Sequence, residues 1–369
     1  MNLNDGILHN GNYTAIRQCM ERAASGEPIT VGFLGGSITQ GSLSSTPETC
    51  YAYLVYRWWQ DTFPASKITY INAGIGGTTS QFGVARVEED LLQYSPDFVL
   101  TEFSVNDDNT FHFQQTYEGL IRRILRACPA LLLMHNVCYD TGHNAQDMHL
   151  PVAQHYDLPC VSMRTTIYAA LQAGEMQNRD ITPDDLHPND AGHAIVASVV
   201  IHLLEQIWNF GKTDRPSQAL PAPLTANRYE NSKRFQNHNS CPELLGFIRD
   251  DTPMHHITEC FRRGFTAWKK DDQIKFHVTG SCISVQYRKS VNKPTPIAQV
   301  IVDGDSDNAV ILDGNFQETW GDCLYLQTVA EGLQNTRHEV LIRVVEDHVD
   351  DVVPFYLVSV IASGGEMNV

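Results

Sequence analysis

Side chains that could take part in acyl transfer follow the apolar runs of this sequence. Ser37 stands after a run of apolar residues and two glycines, and Asn106 stands after another run. Asp184 and His187 lie close together, just before a long and mostly apolar segment. A serine hydroxyl becomes a useful nucleophile when an imidazole accepts its proton, and a carboxylate on the other ring nitrogen fixes the tautomer. These residue types are therefore the ones that attack on an acyl carbonyl requires.

The glycine-rich stretch GIGGTTS follows a third apolar run and contains Gly77. A glycine N–H and an asparagine side-chain amide can both donate hydrogen bonds to the oxyanion that forms during such an attack. Each feature also has a simpler interpretation. Ser37 could cap a helix, Asn106 could close an Asx turn, and the glycines could hold a phosphate at a helix N-terminus.

Common motifs for other chemistries are missing from the sequence. It contains neither GxGxxG nor GxxxxGK[ST], which weakens the dinucleotide and P-loop interpretations. Thr39 stands where the GxSxG elbow of the α/β-hydrolases needs its second glycine. An acyl-transfer site remains the interpretation that uses all the polar residues together.

The elements that must position these side chains are predicted by the apolar runs themselves. Continuous runs separated by helix-sized gaps are typical of buried parallel strands joined by crossover helices. The carboxyl ends of such strands meet at one edge of the sheet, where sites form. We therefore expect residues 1–212 to form a three-layer α/β/α domain with the polar residues on one rim. The predicted strands are 29–35, 67–72, 97–103, 131–136 and 159–163.

The pattern changes in the second half of the chain. Residues 213–240 are polar and contain several prolines, which predicts a linker. Beyond it, short runs alternate apolar and polar residues and are separated by Gly, Asp and Asn turns, as in QIKFHVTG. This pattern predicts an antiparallel β-sandwich over residues 241–369.

Composition excludes several classes of function. A chain of 369 residues is long enough for two domains, and a net charge of −17 disfavours binding to nucleic acid or anionic lipid. No run approaches the 18 apolar residues of a membrane span, and no signal-peptide pattern is present. The nine cysteines form no CxxC pair. We expect a cytoplasmic protein without disulfides, metal or cofactor, of undetermined oligomeric state.

Four ordered stretches, FLGGSITQG, GIGGTTS, SVND and DDLHP, resemble the sequence blocks of the SGNH (GDSL-type) hydrolases. The resemblance spans about residues 29–210 and implies a flavodoxin-like domain. Gly36 stands where the usual GDS block has its aspartate. The resemblance implies that Ser37 is the nucleophile, His187 the base and Asp184 the orienting acid.

The same resemblance implies that the oxyanion donors are the N–H groups of Ser37 and Gly77 and the side chain of Asn106. Asp185 competes for the role of the acid by adjacency alone. The D-x-x-H spacing of the family favours Asp184.

The second half resembles the jelly-roll partner domain of two-domain acetyl esterases that act on plant polysaccharides. We therefore expect a serine esterase that removes acyl groups, chiefly O-acetyl, from oligosaccharides through an acyl-serine. Trp320 lies among polar residues, where it could stack on a sugar or pack between domains. Two alternatives stay open: a carbohydrate-binding protein with a non-catalytic α/β scaffold, and an acyltransferase that uses the same serine.

Overall fold

The computed structural model describes residues 1–209 and 219–364 of the chain. The chain divides into two compact units, 1–227 and 228–369. The boundary predicted at 212 and the first part of the predicted linker, 213–218, lie outside the described residues. Beyond that gap, the backbone N–H groups of Leu224 and Thr225 donate to the Glu118 carboxylate, so this stretch packs on the first unit.

The first unit contains a six-stranded sheet in the order β1-β6-β5-β4-β2-β3. Strands β2 to β6 are parallel, and β1 pairs antiparallel with β6. The predicted parallel strands are thus confirmed, whereas β1 was not predicted because it is only three residues long. The strands are β1 (Ile7–His9), β2 (Ile29–Gly35), β3 (Ile68–Gly74), β4 (Phe98–Glu102), β5 (Leu131–His135) and β6 (Cys160–Ser162).

The helices of this unit form two groups. Helices α1 and α3 both contact α9, and α5 contacts both α4 and α6. Every residue of β4 and β5 is buried, as expected when helices cover both faces of a sheet. The helices are α1 (Thr14–Ala24), α2 (Ser37–Gln40), α3 (Tyr51–Thr62), α4 (Ser80–Asp90), α5 (Phe111–Ala127), α6 (Gln146–His155), α7 (Ala169–Gln172), α8 (Asn178–Ile181) and α9 (Asp190–Asn209).

Helix α9 anchors the chain that follows helix α2, the helix that begins with Ser37. By length and composition α9 could cross a membrane, but half of it is buried within the protein, as in a core helix. The Asp190 carboxylate accepts hydrogen bonds from the backbone N–H and hydroxyl of Ser45. The His193 ring lies 3.3 Å from the backbone N of Tyr51 and 3.2 Å from the carbonyl oxygen of Ser42. These contacts fix the path from α2 to α3.

The second unit is an antiparallel β-sandwich, as predicted. One sheet has the order β15-β12-β17-β10-β9, with β7 also paired to β17, and the other has the order β14-β13-β16-β11-β8. Strand β7 lies inside the stretch predicted as a linker, because its polar composition concealed a strand. The strands are β7 (Lys233–Phe235), β8 (Glu243–Leu245), β9 (Ile248–Arg249), β10 (Phe265–Ala267), β11 (Gln273–Gly280), β12 (Cys282–Lys289), β13 (Ile297–Val302), β14 (Val310–Asp313), β15 (Cys323–Ala330), β16 (Thr336–Glu346) and β17 (Phe355–Ser363).

The core face of one sheet of the sandwich follows from alternation along strands β11 and β16. In β11, Ile274, Phe276 and Val278 are buried, and the residues between them are half-buried or exposed. The facing residues Val340 and Ile342 of β16 are buried in the same core. Since successive side chains of a strand point to opposite faces, this alternation places one face of the sheet inward.

Candidate active site

The structure brings Ser37, His187 and Asp184 into one hydrogen-bonded chain. Ser37 is the first residue of α2, at the carboxyl end of β2, and the N-cap position of that helix belongs to Gly36. His187 Nε2 lies 2.9 Å from Ser37 Oγ, and His187 Nδ1 lies 2.7 Å from Asp184 Oδ2. The Ser37 hydroxyl therefore does not cap the helix, and the His187 imidazole is close enough to accept its proton.

The Asp184 carboxylate is held by its own loop. Its Oδ1 accepts hydrogen bonds from the backbone N–H groups of Leu186, at 3.1 Å, and His187, at 2.7 Å. Partial burial favours the neutral acid, but these bonds and the one to the His187 ring outweigh it and lower the pKa of Asp184. The carboxylate is thus ionised and oriented to hold the imidazole.

Asp185 points to other partners. Its backbone is in the left-handed region, with φ +68°, and its carboxylate contacts the Arg179 guanidinium and the Asn178 amide. The turn at Asp185 separates the two neighbouring carboxylates, so that Asp184 alone of the pair meets the ring of His187.

Gly77 and Asn106, the predicted oxyanion donors besides Ser37, lie in the loops that follow the carboxyl ends of β3 and β4. Gly77 has φ +66°, which glycine adopts without strain. In the described part of the chain, neither the Gly77 N–H nor the side-chain NH₂ of Asn106 donates a hydrogen bond to the protein. Both groups therefore remain available to a ligand.

Gly36 allows Asn106 to approach the turn at Ser37. A Cβ atom at position 36 would lie 2.6 Å from Asn106 Oδ1, which is closer than real Cβ contacts allow. Asn106 Oδ1 is buried in this contact, and the NH₂ group lies on the other side of the amide. A side chain at position 36 would thus have to displace the Asn106 amide, which the glycine of this chain avoids.

The buried Arg86, which no sequence motif indicated, supports the turn at Ser37 from the interior of the unit. Its guanidinium donates to the carbonyl oxygen of Gly35 at 3.1 Å and pairs with the Asp90 carboxylate at 2.9 Å. The side chain of Arg86 is fully buried. In the sequence, an arginine four residues before an aspartate on a helix is typical of an exposed ion pair, so no local signal revealed this role.

Glu102, at the end of β4, is a second buried charge that the sequence did not reveal. Its Oε1 accepts hydrogen bonds from the backbone N–H and the hydroxyl of Ser104. Burial raises the pKa of Glu102 to about 7, despite these bonds. A carboxyl group next to the Asn106 loop is therefore partly protonated near neutral pH.

Trp320 belongs to the second unit, in the loop between β14 and β15. Its side chain is 63% exposed, and its ring contacts Phe316 edge-on, with the ring centroids 5.0 Å apart. Trp320 thus lies in a loop, as predicted.

Comparison with known proteins first defines the class. Residues 33–195 match the model of the GDSL-like Lipase/Acylhydrolase family. Two curated relatives match about half of this chain. The "Thioesterase 1/protease 1/lysophospholipase L1" of Escherichia coli (strain K12) is 29% identical over 199 residues, 51% of this chain and 88% of that protein. The "Acetylxylan esterase" of Geobacillus stearothermophilus is 24% identical over 217 residues, 51% of this chain and 98% of that protein.

One solved structure is similar over both units. It is a two-domain esterase (CEX) active on acetylated mannans, co-crystallised with mannopentaose, and it is 55% identical to this chain. The match covers 99% of this chain and 98% of the other, with a TM-score of 0.95. The present chain belongs to the GDSL-like lipase/acylhydrolase family, and it shares its two-unit architecture with this esterase.

Proposed function

We propose that this protein is a serine esterase that removes O-acetyl groups from oligosaccharides, with acetylated mannan fragments as substrates. The observation that carries the proposal is the chain of hydrogen bonds from Asp184 through His187 to Ser37. The full-length likeness to a two-domain esterase active on acetylated mannans supports the choice of substrate class.

In the first half of the reaction, Ser37 Oγ attacks the acetyl carbonyl carbon while His187 Nε2 takes its proton. The negative charge on the carbonyl oxygen is stabilised by the N–H groups of Ser37 and Gly77 and by the Asn106 amide. The ester bond then breaks, the sugar oxygen leaves with the proton from His187, and the acetyl group stays on Ser37.

In the second half, His187 accepts a proton from water, whose oxygen attacks the acetyl-serine. The second oxyanion uses the same donors, and its collapse releases acetate and restores the Ser37 hydroxyl. The ionised Asp184 stabilises the imidazolium in both halves, because its carboxylate holds the His187 Nδ1–H.

The sandwich unit contributes to substrate binding in this proposal. Trp320 offers an exposed aromatic face of the kind that stacks on sugar rings. The proposal therefore separates two tasks: the α/β unit cleaves the ester, and the exposed tryptophan improves the binding of long substrates.

Release of acetate from acetylated mannan oligosaccharides tests the function directly. We expect release by the wild-type protein, slower release from acetylated xylan fragments, and none by Ser37→Ala. A wild-type protein that binds mannan fragments but frees no acetate would instead support the carbohydrate-binding alternative. Transfer of acetyl to added sugar in preference to water would support the acyltransferase.

A further inference from the structure

The loop that carries Gly77 is held at both ends by side chains from other parts of the α/β unit. At its start, Gln40 Oε1 accepts a hydrogen bond from the backbone N–H of Gly76, at 2.6 Å. At its end, Asp107 Oδ1 accepts one from the backbone N–H of Ser80, at 2.8 Å. The N–H groups of Gly76 and Ser80 thus find their acceptors outside the loop.

The two acceptors belong to the other two segments of the site. Gln40 is the last residue of α2, the helix that begins with Ser37. Asp107 directly follows Asn106. The hydrogen bonds therefore link the Gly77 loop to the nucleophile on one side and to the second oxyanion donor on the other.

The loop is open on the side of Gly77 where a side chain would stand. No atom lies within 4 Å of the position that a Cβ of Gly77 would occupy. At Gly76 the same position is 3.1 Å from Gln40 Oε1 and 3.6 Å from the Cβ of Ser37. Within the loop, the Thr78 hydroxyl donates to the carbonyl oxygen of Ile75. Hydrogen bonds on both sides of Gly77 therefore help to fix the direction of its N–H.

Asp107 is itself rigidly placed. Its side chain is fully buried, and its Oδ2 lies 3.0 Å from His149 Nε2. The His149 ring stacks on the Tyr117 ring with the centroids 3.6 Å apart. Burial raises the pKa of Asp107 to about 7 and lowers that of His149 to about 3. The contact is therefore a buried hydrogen bond with little charge separation at mildly acid pH.

We propose that Gln40 and Asp107 are positioning residues that hold the Gly76–Gly77 segment so that the Gly77 N–H faces the developing oxyanion. The inference rests on the proposed function. In this proposal neither side chain contacts the substrate. Misplacing one oxyanion donor by a fraction of an ångström weakens transition-state stabilisation while leaving substrate binding nearly intact.

Gln40→Met tests the first link, since it keeps the length of the side chain and removes the acceptor. Gln93→Met is the matched control, because Gln93 is an exposed glutamine elsewhere in the same unit. With 4-nitrophenyl acetate as substrate, we expect Gln40→Met to lower kcat roughly 10- to 100-fold and to change KM less than about 3-fold. The Gln93→Met protein should match the wild type.

A second readout separates positioning from a general structural effect. Methylboronic acid accepts an electron pair from Ser37 Oγ and gives a tetrahedral anion that mimics the oxyanion intermediate. Its affinity should fall by the same factor as kcat in Gln40→Met, while the thermal midpoint stays that of the control. Wild-type kcat and boronic acid affinity in Gln40→Met, or a loss of kcat with unchanged boronic acid affinity, would overturn the inference for Gln40.

Asp107→Asn and Asp107→Leu test the second link as a pair. The asparagine keeps an oxygen that can accept from Ser80, so it should retain most of kcat, whereas leucine should lose roughly 10- to 100-fold or more. If the leucine variant does not fold, Asp107→Asn decides: a large loss of kcat in that variant contradicts the positioning role. Failure of the proposed function itself is recognised separately, because the wild-type protein would then cleave no acetyl ester.

Discussion

The two units differ in what they bury. The α/β unit encloses many acidic, basic and histidine side chains, whereas the described part of the sandwich unit encloses two, Glu230 and His338. The other polar side chains buried in the sandwich include uncharged hydroxyls and amides, such as those of Ser284, Gln286 and Ser359. The buried acidic, basic and histidine side chains of the α/β unit are Arg86, Asp90, Glu102, Asp107, Glu118, Arg122, His135, His149 and His193.

This difference indicates that the α/β unit accepts a lower free energy of unfolding in order to hold polar groups in place around the site. Burying a polar or charged group costs free energy unless partners compensate, and the His135 ring has no hydrogen-bond partner among the described residues. Three of these groups bond to the segments of the site. Asp107 accepts from the Ser80 N–H at the end of the Gly77 loop, and Arg86 donates to the Gly35 carbonyl beside the Ser37 turn. Glu102 accepts from the Ser104 N–H in the loop that carries Asn106. The unit proposed to do the chemistry carries this cost, whereas the unit proposed to help bind the substrate buries few acidic, basic or histidine side chains.

The strongest way to break this comparison is to remove the proposed nucleophile. Ser37→Ala should lower kcat for an acetyl ester roughly 10³- to 10⁶-fold, because no hydroxyl remains to form the acyl intermediate. Ser306→Ala, an exposed serine in the sandwich unit, should leave kcat unchanged. Acetate release by purified Ser37→Ala protein at the wild-type rate would show that the reaction does not take place at Ser37.

The next largest effect separates the two neighbouring carboxylates. Asp184→Asn should lower kcat roughly 10²- to 10⁴-fold, because the amide no longer holds the productive tautomer of His187. Asp185→Asn should change kcat less than about 3-fold, since Asp185 contacts Arg179 and Asn178 instead. Steady-state kinetics on both variants decide the assignment, and equal losses would contradict it.

Loss of one oxyanion donor should be smaller. Asn106→Ala should lower kcat roughly 10²- to 10³-fold with little change in KM, because the amide acts chiefly on the transition state. Asn109→Ala, three residues further along the same loop, is the matched control. A loss that falls on KM rather than kcat would show that Asn106 binds the substrate instead.

The stability cost of the α/β unit can be measured through Glu102. Burial raises its pKa to about 7 in the folded state, from the ordinary value of 4.5. Between these values the folded protein keeps a proton that the unfolded chain releases, so this group lowers stability as pH rises through that window. Glu102→Gln removes the titration and should flatten the decline by roughly 1–3 kcal/mol.

Urea unfolding at pH 4.5 and pH 8 gives the required free energies for the wild-type and Glu102→Gln proteins. The difference between the two proteins isolates Glu102 from other titrating groups. The same pH dependence in both would show that the carboxyl group is not desolvated as the structure indicates.

The smallest predicted effect belongs to the sandwich unit. Trp320→Ala should raise KM for acetylated mannan oligosaccharides about 3- to 10-fold and leave hydrolysis of 4-nitrophenyl acetate unchanged, since one stacking contact is lost. Trp268→Ala, at another exposed tryptophan of this unit, is the control. Equal KM values for Trp320→Ala and the control would assign Trp320 a role other than sugar binding.

Local sequence patterns predicted most of the fold. The parallel strands, the long helix α9 and the alternating strands of the sandwich all occur where their apolar residues indicate. The linker prediction differs for a local reason, because β7 is a short, polar strand inside it.

The sequence by itself determined which residue types stand at the ends of the strands, because side-chain period and the order of glycine, serine and histidine are local properties. Only the tertiary structure decided which atoms meet. His187 Nε2 and Ser37 Oγ lie 2.9 Å apart across 150 positions of sequence. The same holds for the pairing of Gln40 with Gly76 and for the protonation of Glu102 and Asp107. Segments that are distant in sequence bury these charged groups and orient the Gly77 loop. No local sequence pattern contains the information about that packing.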